Sequence, residues 1–99
     1  MFKALDPVLH SQLRLAIISL LMSVEEAEFT YIKEKTGATA GNLSVQISKL
    51  KTAGYLEVEK SFRDNFPLTT CSITSKGREA FALYVKALED YIQVNKKGG

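Results

Sequence analysis

The chain has 99 residues, 45% hydrophobic and 24% charged, which is the balance of a soluble globular protein with one domain and one modest core. No apolar run approaches the ~18–20 residues of a bilayer span, and the opening MFKALDPVLHSQ lacks the apolar segment and cleavage site of a signal peptide, so the cytoplasm is the expected location. A net charge of +2 permits a nucleic-acid partner without demanding one, while a single Cys71 and a single His10 exclude an intrachain disulfide and a Cys/His zinc cluster within one chain.

Asp6-Pro7 predicts a helix start, with Asp as cap and Pro at the first helical position. The helix is expected from about Val8 to Met22. Leu9, Leu13, Ala16, Ile17 and Leu20 form one apolar stripe, which Leu15, Ile18, Leu21 and Met22 widen beyond a single face. A helix so apolar buries more than one side. It is expected in the core and, at Leu9 and Leu13, against a second subunit. His10 lies beside Ser11 and Gln12, which suits a solvated or capping role. Ser23 to Glu28 is an acidic connection. Glu28 to Thr30 reads as a short extended piece, with Phe29 as a core anchor.

Two short helices follow between Thr30 and Gly54. Thr30 is the expected cap of the first, and Tyr31 and Ile32 supply its apolar residues. Gly37 marks its end, where a residue tolerant of positive φ is wanted. The second opens near Thr39 and runs to about Ala53, closed by Gly54. Leu43, Ile47 and Leu50 fall at i, i+4 and i+7, on one stripe. At 100° per residue the opposite face carries Gly41, Val45, Ser48 and Thr52. Asn42 and Lys49 lie on one flank, Ser44 and Lys51 on the other. This outward face is small, polar and weakly basic, with one methyl-bearing residue at its centre. Small residues allow close approach to a DNA major groove, and Ser, Asn and Lys supply hydrogen-bonding groups.

After Gly54 the period changes from helical to alternating. Tyr55 to Phe62 reads as a half-buried strand, with Leu56, Val58 and Phe62 on one side. Arg63-Asp64-Asn65-Phe66-Pro67 has turn composition. Leu68 to Thr74 is a second strand, with Thr69, Cys71 and Ile73 on one face, so the pair forms a β-hairpin. Cys71 is expected as a small buried residue. Thr74 or Ser75 caps a last helix that runs to about Val94. Phe81, Tyr84, Val85, Leu88, Tyr91 and Ile92 give it a sustained apolar stripe. Its half from about Val85 on is long for so small a domain and is expected to project and pair with another chain.

The fold class is therefore mainly α with a small β-hairpin (α+β), in the order α-α-α-β-β-α. The segment GNLSVQISKLKTAGYLEVEKSF, a turn with Pro67, then TTCSITSKGREAF resembles the winged helix-turn-helix transcriptional regulators related to the MarR and ArsR families. The resemblance spans about Leu13 to Leu88, and is strongest to small stand-alone winged-helix DNA-binding domains. It implies a homodimer on a pseudo-palindromic operator, with repression as the expected mode. Dimerisation would run through about residues 8–22 and 75–95, at Leu9, Leu13, Tyr84, Leu88, Tyr91 and Ile92. The recognition helix would be Ala40 to Ala53, turning Gly41, Asn42, Ser44, Val45, Ser48 and Lys49 to the groove. Thr39 and Lys51 would meet phosphates. The wing tip Arg63-Asp64-Asn65 would reach a minor groove or the backbone through Arg63, although Asp64 weakens that contact. The chain has little room for the effector pockets of larger MarR-like regulators, and it lacks the Cys or His clusters of ArsR-type metal sites.

A winged-helix module that presents the same helix to a protein is the alternative. Protein interfaces favour aromatic, Met and Arg anchors, whereas this face is Gly, Ser, Asn, Lys and one Val, which favours DNA. An enzyme is not expected: the sequence offers no nucleophile–base pair, phosphate loop or metal-ligand spacing, and no cofactor is implied.

Overall fold

The computed structural model describes residues 2–98. Its elements in order are α1 (Gln12–Leu21), β1 (Ala27–Glu28), α2 (Phe29–Thr36), α3 (Ala40–Thr52), β2 (Leu56–Arg63), β3 (Phe66–Ile73) and α4 (Ser75–Gly98). The three strands form an antiparallel sheet in the order β1-β3-β2. The winged helix-turn-helix order expected from the sequence is present, with β1 added as a short third strand.

The start of α1 differs from expectation. Asp6 does not open the helix. Its Oδ1 accepts from Val8 N at 2.9 Å, and its carbonyl accepts from His10 N at 2.8 Å, so residues 6–10 close a separate turn. Ser11 is extended and caps α1, accepting from Arg14 N. Two capping residues competed for one helix, and the later one won. The start of α2 also moves. Glu28, not Thr30, occupies the N-cap position and makes no side-chain capping bond; pairing of Ala27–Glu28 with Cys71 and Thr70 fixes the chain there instead.

Leu43, Ile47 and Leu50 of α3 pack with Ile17, Ile18 and Leu21 of α1, Ile32 of α2, and Leu56 and Cys71 of the sheet. Phe29 is half-buried against this core. Leu9 and Tyr84, expected at a subunit interface, lie in the core as well, 0% and 6% exposed. The turn at residues 6–10 folds Leu9 inward, and Tyr84 is held by a 3.1 Å hydrogen bond between its hydroxyl and His10 Nδ1. No side-chain surface of Leu9 remains for a partner. Cys71 is buried as expected, and burial pushes its thiol up to about 11, which keeps it protonated and inert at neutral pH.

The junction of α3, β2 and α4 is tightly specified. Tyr55 N donates to Leu50 O and Gly54 N to Lys51 O, with Gly54 at φ +84°, which is a Schellman closure. Thr74 Oγ1 donates to Gly54 O at 2.7 Å and accepts from Gly77 N at 3.0 Å, so it caps α4 and ties it to the end of α3. A Cβ on Gly77 would collide with the Tyr55 carbonyl oxygen and approach Ile73 Cγ1 to 2.8 Å. Only glycine allows α4 to start this close to β2.

Beyond that junction α4 runs for 24 residues, roughly 36 Å, and past the expected end near Val94. The molecule measures 58 × 25 × 21 Å with a radius of gyration of 15.4 Å. A compact chain of this length would have about 12–13 Å. The excess is the projecting helix.

Two stability predictions follow from this packing. Leu50→Ala empties a fully buried site in the centre of the core and should cost about 2–5 kcal/mol by urea denaturation. Tyr55 donates its hydroxyl to Asp6 Oδ2 at 2.5 Å. That bond, then burial and the nearby charge, raise its pKa from the ordinary 10.0 to about 12. A raised folded pKa means that the stabilisation is whole below about pH 10 and is lost as pH rises through about 12. Thermal midpoints measured from pH 10 to 12 should therefore fall more steeply for the wild type than for Tyr55→Phe. The titration of Cys71 is common to both proteins and cancels in the comparison.

Candidate nucleic-acid interface

The outward face of α3 is set by what the inward face buries. Thr39 caps the helix, its Oγ1 accepting from Asn42 N at 3.2 Å. With Leu43, Ile47 and Leu50 pinned in the core, Gly41, Asn42, Ser44, Val45, Ser48, Lys49, Lys51 and Thr52 are all exposed. All the helix residues expected to face a partner thus share one accessible surface. Val45 stands at its centre, 50% exposed. Gly41 has nothing within 4 Å of where a Cβ would lie. Glycine inside a helix costs roughly 0.5–1 kcal/mol relative to alanine, and no neighbour in the fold requires it there.

One side of this surface is held by a residue the sequence reading missed. Arg14 of α1 donates through Nη1 to Gln46 Oε1 and through Nε to Val8 O, both at 2.6 Å. Gln46 Nε2 in turn donates to Asn42 Oδ1 at 3.1 Å. Arg14 thereby joins the turn at residues 6–10 to α3, and the Asn42 amide is oriented with its NH₂ group free to donate. An isolated Arg in an apolar helix, four residues before the buried Ile18, was the available signal. Pro7, Val8 and Arg14 on one side and Ser44, Val45, Ser48, Lys49 and Thr52 on the other line an open groove of about 650 Å³. Its walls are largely apolar, with Lys49 as its exposed cation.

The other side is formed by the hairpin. β2 and β3 pair from Leu56↔Ile73 to Arg63↔Phe66, so the turn is the two residues Asp64–Asn65 rather than the longer expected segment from Arg63 to Pro67. Both turn residues have positive φ, 51° and 69°, the conformation of a type I′ hairpin. A depression of about 340 Å³ between the hairpin and α3 is lined by Ser44, Ser48 and Lys51 on the helix and by Val58, Lys60 and Thr69 on the strands. Lys60, not singled out from the sequence, therefore adjoins the outward face of α3.

Alternation decides the fate of Arg63. Residues 56, 58, 60 and 62 share one face of β2, while 57, 59, 61 and 63 share the other. Arg63 lies on the face opposite Lys60 and is paired with Glu28 of β1 at 2.9 Å. The side chain of Arg63, expected as the phosphate contact at the wing tip, remains largely exposed while it lies beside Glu28. Phe62, expected to be half-buried with Leu56 and Val58, is 76% exposed because the hairpin extends past the helices that cover its base.

No helix among the described residues is long and apolar enough to cross a membrane. The winged helix DNA-binding domain family matches residues 13–92. An uncharacterized protein of Methanocaldococcus jannaschii, MJ0432, is 40% identical over 78 residues, covering 79% of this chain and 85% of the relative. Among solved structures, a transcriptional regulator homologue from Pyrococcus horikoshii OT3 superposes with a TM-score of 0.81 at 29% identity, covering 87% of this chain and 85% of that one. A PadR family transcription regulator from Clostridium difficile R20291 has the same fold, with a TM-score of 0.74 at 10% identity over 90% of this chain and all of the other. The chain has the fold of these regulators, with a capped helix presented beside a hairpin, and it belongs to the winged helix DNA-binding domain family.

Proposed function

We propose that residues 1–99 act as one sequence-specific reader of double-stranded DNA and as a transcriptional repressor, a homodimer that occupies a pseudo-palindromic operator and blocks polymerase. The observation that carries the reading is the outward face of α3. It is anchored from behind by three buried residues, flanked by Lys60 and Lys51, and composed of side chains too small to form a protein-binding hot spot. Gly41 supports it independently, since a glycine the fold does not need is explained by a partner that comes close. In this reading Val45 meets a thymine methyl, the Asn42 amide an adenine edge, and Thr39, Lys51 and Lys60 the phosphates.

The proposed dimer forms along distal α4. Val85 and Ile92, and Phe81 and Leu88, are each seven residues apart, the repeat of a two-stranded helical seam. Val85, Leu88, Tyr91 and Ile92 remain exposed in the protomer. Phe2 stacks on Tyr91 with ring centroids 4.6 Å apart, which extends the apolar strip. Leu13 is half-buried against the core. A two-fold dimer of this kind would set half-sites about one helical turn apart, roughly 10 bp or a multiple of it.

Selection of bound sequences from a random duplex library, repeated at two salt concentrations, tests the reading. An enriched inverted repeat whose affinity falls with salt is expected. Lack of enrichment would favour a protein partner for α3. On the enriched duplex, Val45→Ala combined with Lys49→Ala should weaken binding by ten-fold or more without lowering the melting temperature. Unchanged affinity in that variant would mean that the groove-facing side is wrongly assigned. Leu88→Glu with Ile92→Glu should convert a dimer to a folded monomer in sedimentation at micromolar concentration, and a wild type that sediments as a monomer would remove the dimer.

A further inference from the structure

Two phenylalanines stand at the tip of the hairpin, Phe62 at 76% and Phe66 at 72% exposure. Neither ring is covered by the body of the protein, so each is available to a partner. They do not point the same way. Phe62 is opposite Pro67 and shares its strand face with Lys60 and Thr69, which border the outward face of α3. Phe66 is opposite Arg63, on the face that looks to Glu28 and the start of α2.

We infer that Phe62 is a DNA contact, an apolar side chain that seats against the deoxyribose wall of the duplex flanking the recognition helix. The inference rests on the DNA-binding reading of α3 and changes the chemistry expected of the wing. Three observations carry it. Phe62 continues the line of Lys60, two residues and about 7 Å further from the body, so a duplex laid on α3, Lys51 and Lys60 meets Phe62 next. Arg63, the cation nearest the tip, lies on the opposite strand face beside Glu28, so Phe62 and not Arg63 occupies that position. Strand pairing runs up to Arg63↔Phe66 on either side of the two-residue turn at Asp64–Asn65, so Phe62 is carried by paired backbone rather than by a loose loop. Minor-groove binders insert apolar side chains such as Phe between base steps, and the deoxyribose edges of that groove likewise present carbon rather than charge.

The experiment is fluorescence anisotropy of the full chain on a random-sequence duplex of about 30 bp across a series of salt concentrations. Phe62→Ala should weaken binding about ten-fold and leave the slope of log affinity against log salt unchanged. Lys60→Ala should reduce that slope by about one unit. Phe66→Ala, on the far face, should bind within two-fold of the wild type. All three side chains are exposed, so melting temperatures should match and loss of fold is not an explanation. A Phe62→Ala variant within two-fold of a wild type that does bind would overturn the inference and leave the DNA reading standing. Equal losses in Phe62→Ala and Phe66→Ala would overturn it too, since the two faces would not differ. A wild type that binds no duplex would remove both.

Discussion

The burial of Leu43, Ile47 and Leu50 against Ile17, Ile18 and Leu21 is the constraint on which the remaining structure depends. A helix has two sides, and fixing one in the core fixes the other in solvent. Rotation of α3 by one residue, about 100°, would bring a serine or lysine into the core. Burying an unpaired lysine costs far more than any gain from the rotation. The hydrophobic stripe thus sets the azimuth of every residue on the outward face of α3. The polar face has freedom to vary in chemistry because it has no packing duty.

The same logic runs through the hairpin with a period of two. Leu56, Val58, Ile73, Cys71 and Ala27 share the face that meets the helices, and register is fixed where that face is buried. The register then propagates outward without further support. Lys60 and Phe62 inherit the core-facing side, but past the body that side looks into solvent beside α3. Arg63 inherits the other side and meets Glu28. Core packing at the base of the hairpin therefore determines which chemistry its tip presents.

These two periodicities explain what the sequence made legible. The stripe of α3, the Gly54 closure, the alternation of β2 and the Thr74 cap are local signals, and the structure follows each of them. Where reading by pattern failed, the deciding contact was distant in sequence. Asp6-Pro7 has the local form of a helix start, but its carboxylate is taken by Val8 N and by the hydroxyl of Tyr55, 49 residues away. Thr30 has the form of a cap, yet strand pairing between Glu28 and Thr70 starts α2 earlier. Leu9 and Tyr84 belong to stripes that look available to a partner, and tertiary packing buries both. Phe62 fits a buried alternation, because period alone does not say where the covering helices end. The pairing of Arg63 with Glu28 is likewise a contact that no local pattern shows.

The segment before α1 shows how such distant contacts prepare the site. Asp6 accepts from Tyr55, just past the C-terminal end of α3, while Arg14 bonds Val8 O, Pro7 O and Gln46 near the middle of α3. One short stretch thereby braces α3 at its middle, through Arg14 and Gln46, and just past its end, at Tyr55. The core alone would hold the inward stripe but leave the outward side chains to choose among rotamers. Gln46, held by Arg14, holds Asn42 in turn, so order passes from the brace to a residue on the outward face of α3. Ordering side chains on association costs roughly 0.5–1.5 kcal/mol each for rotamer-rich groups. A helix face already ordered in the free protein spends less of its contact energy on that cost, and more appears as discrimination between partners. The apolar turn at Pro7 and Val8 is both part of the brace and one wall of the groove beside Val45, which couples the rigidity of the surface to its shape.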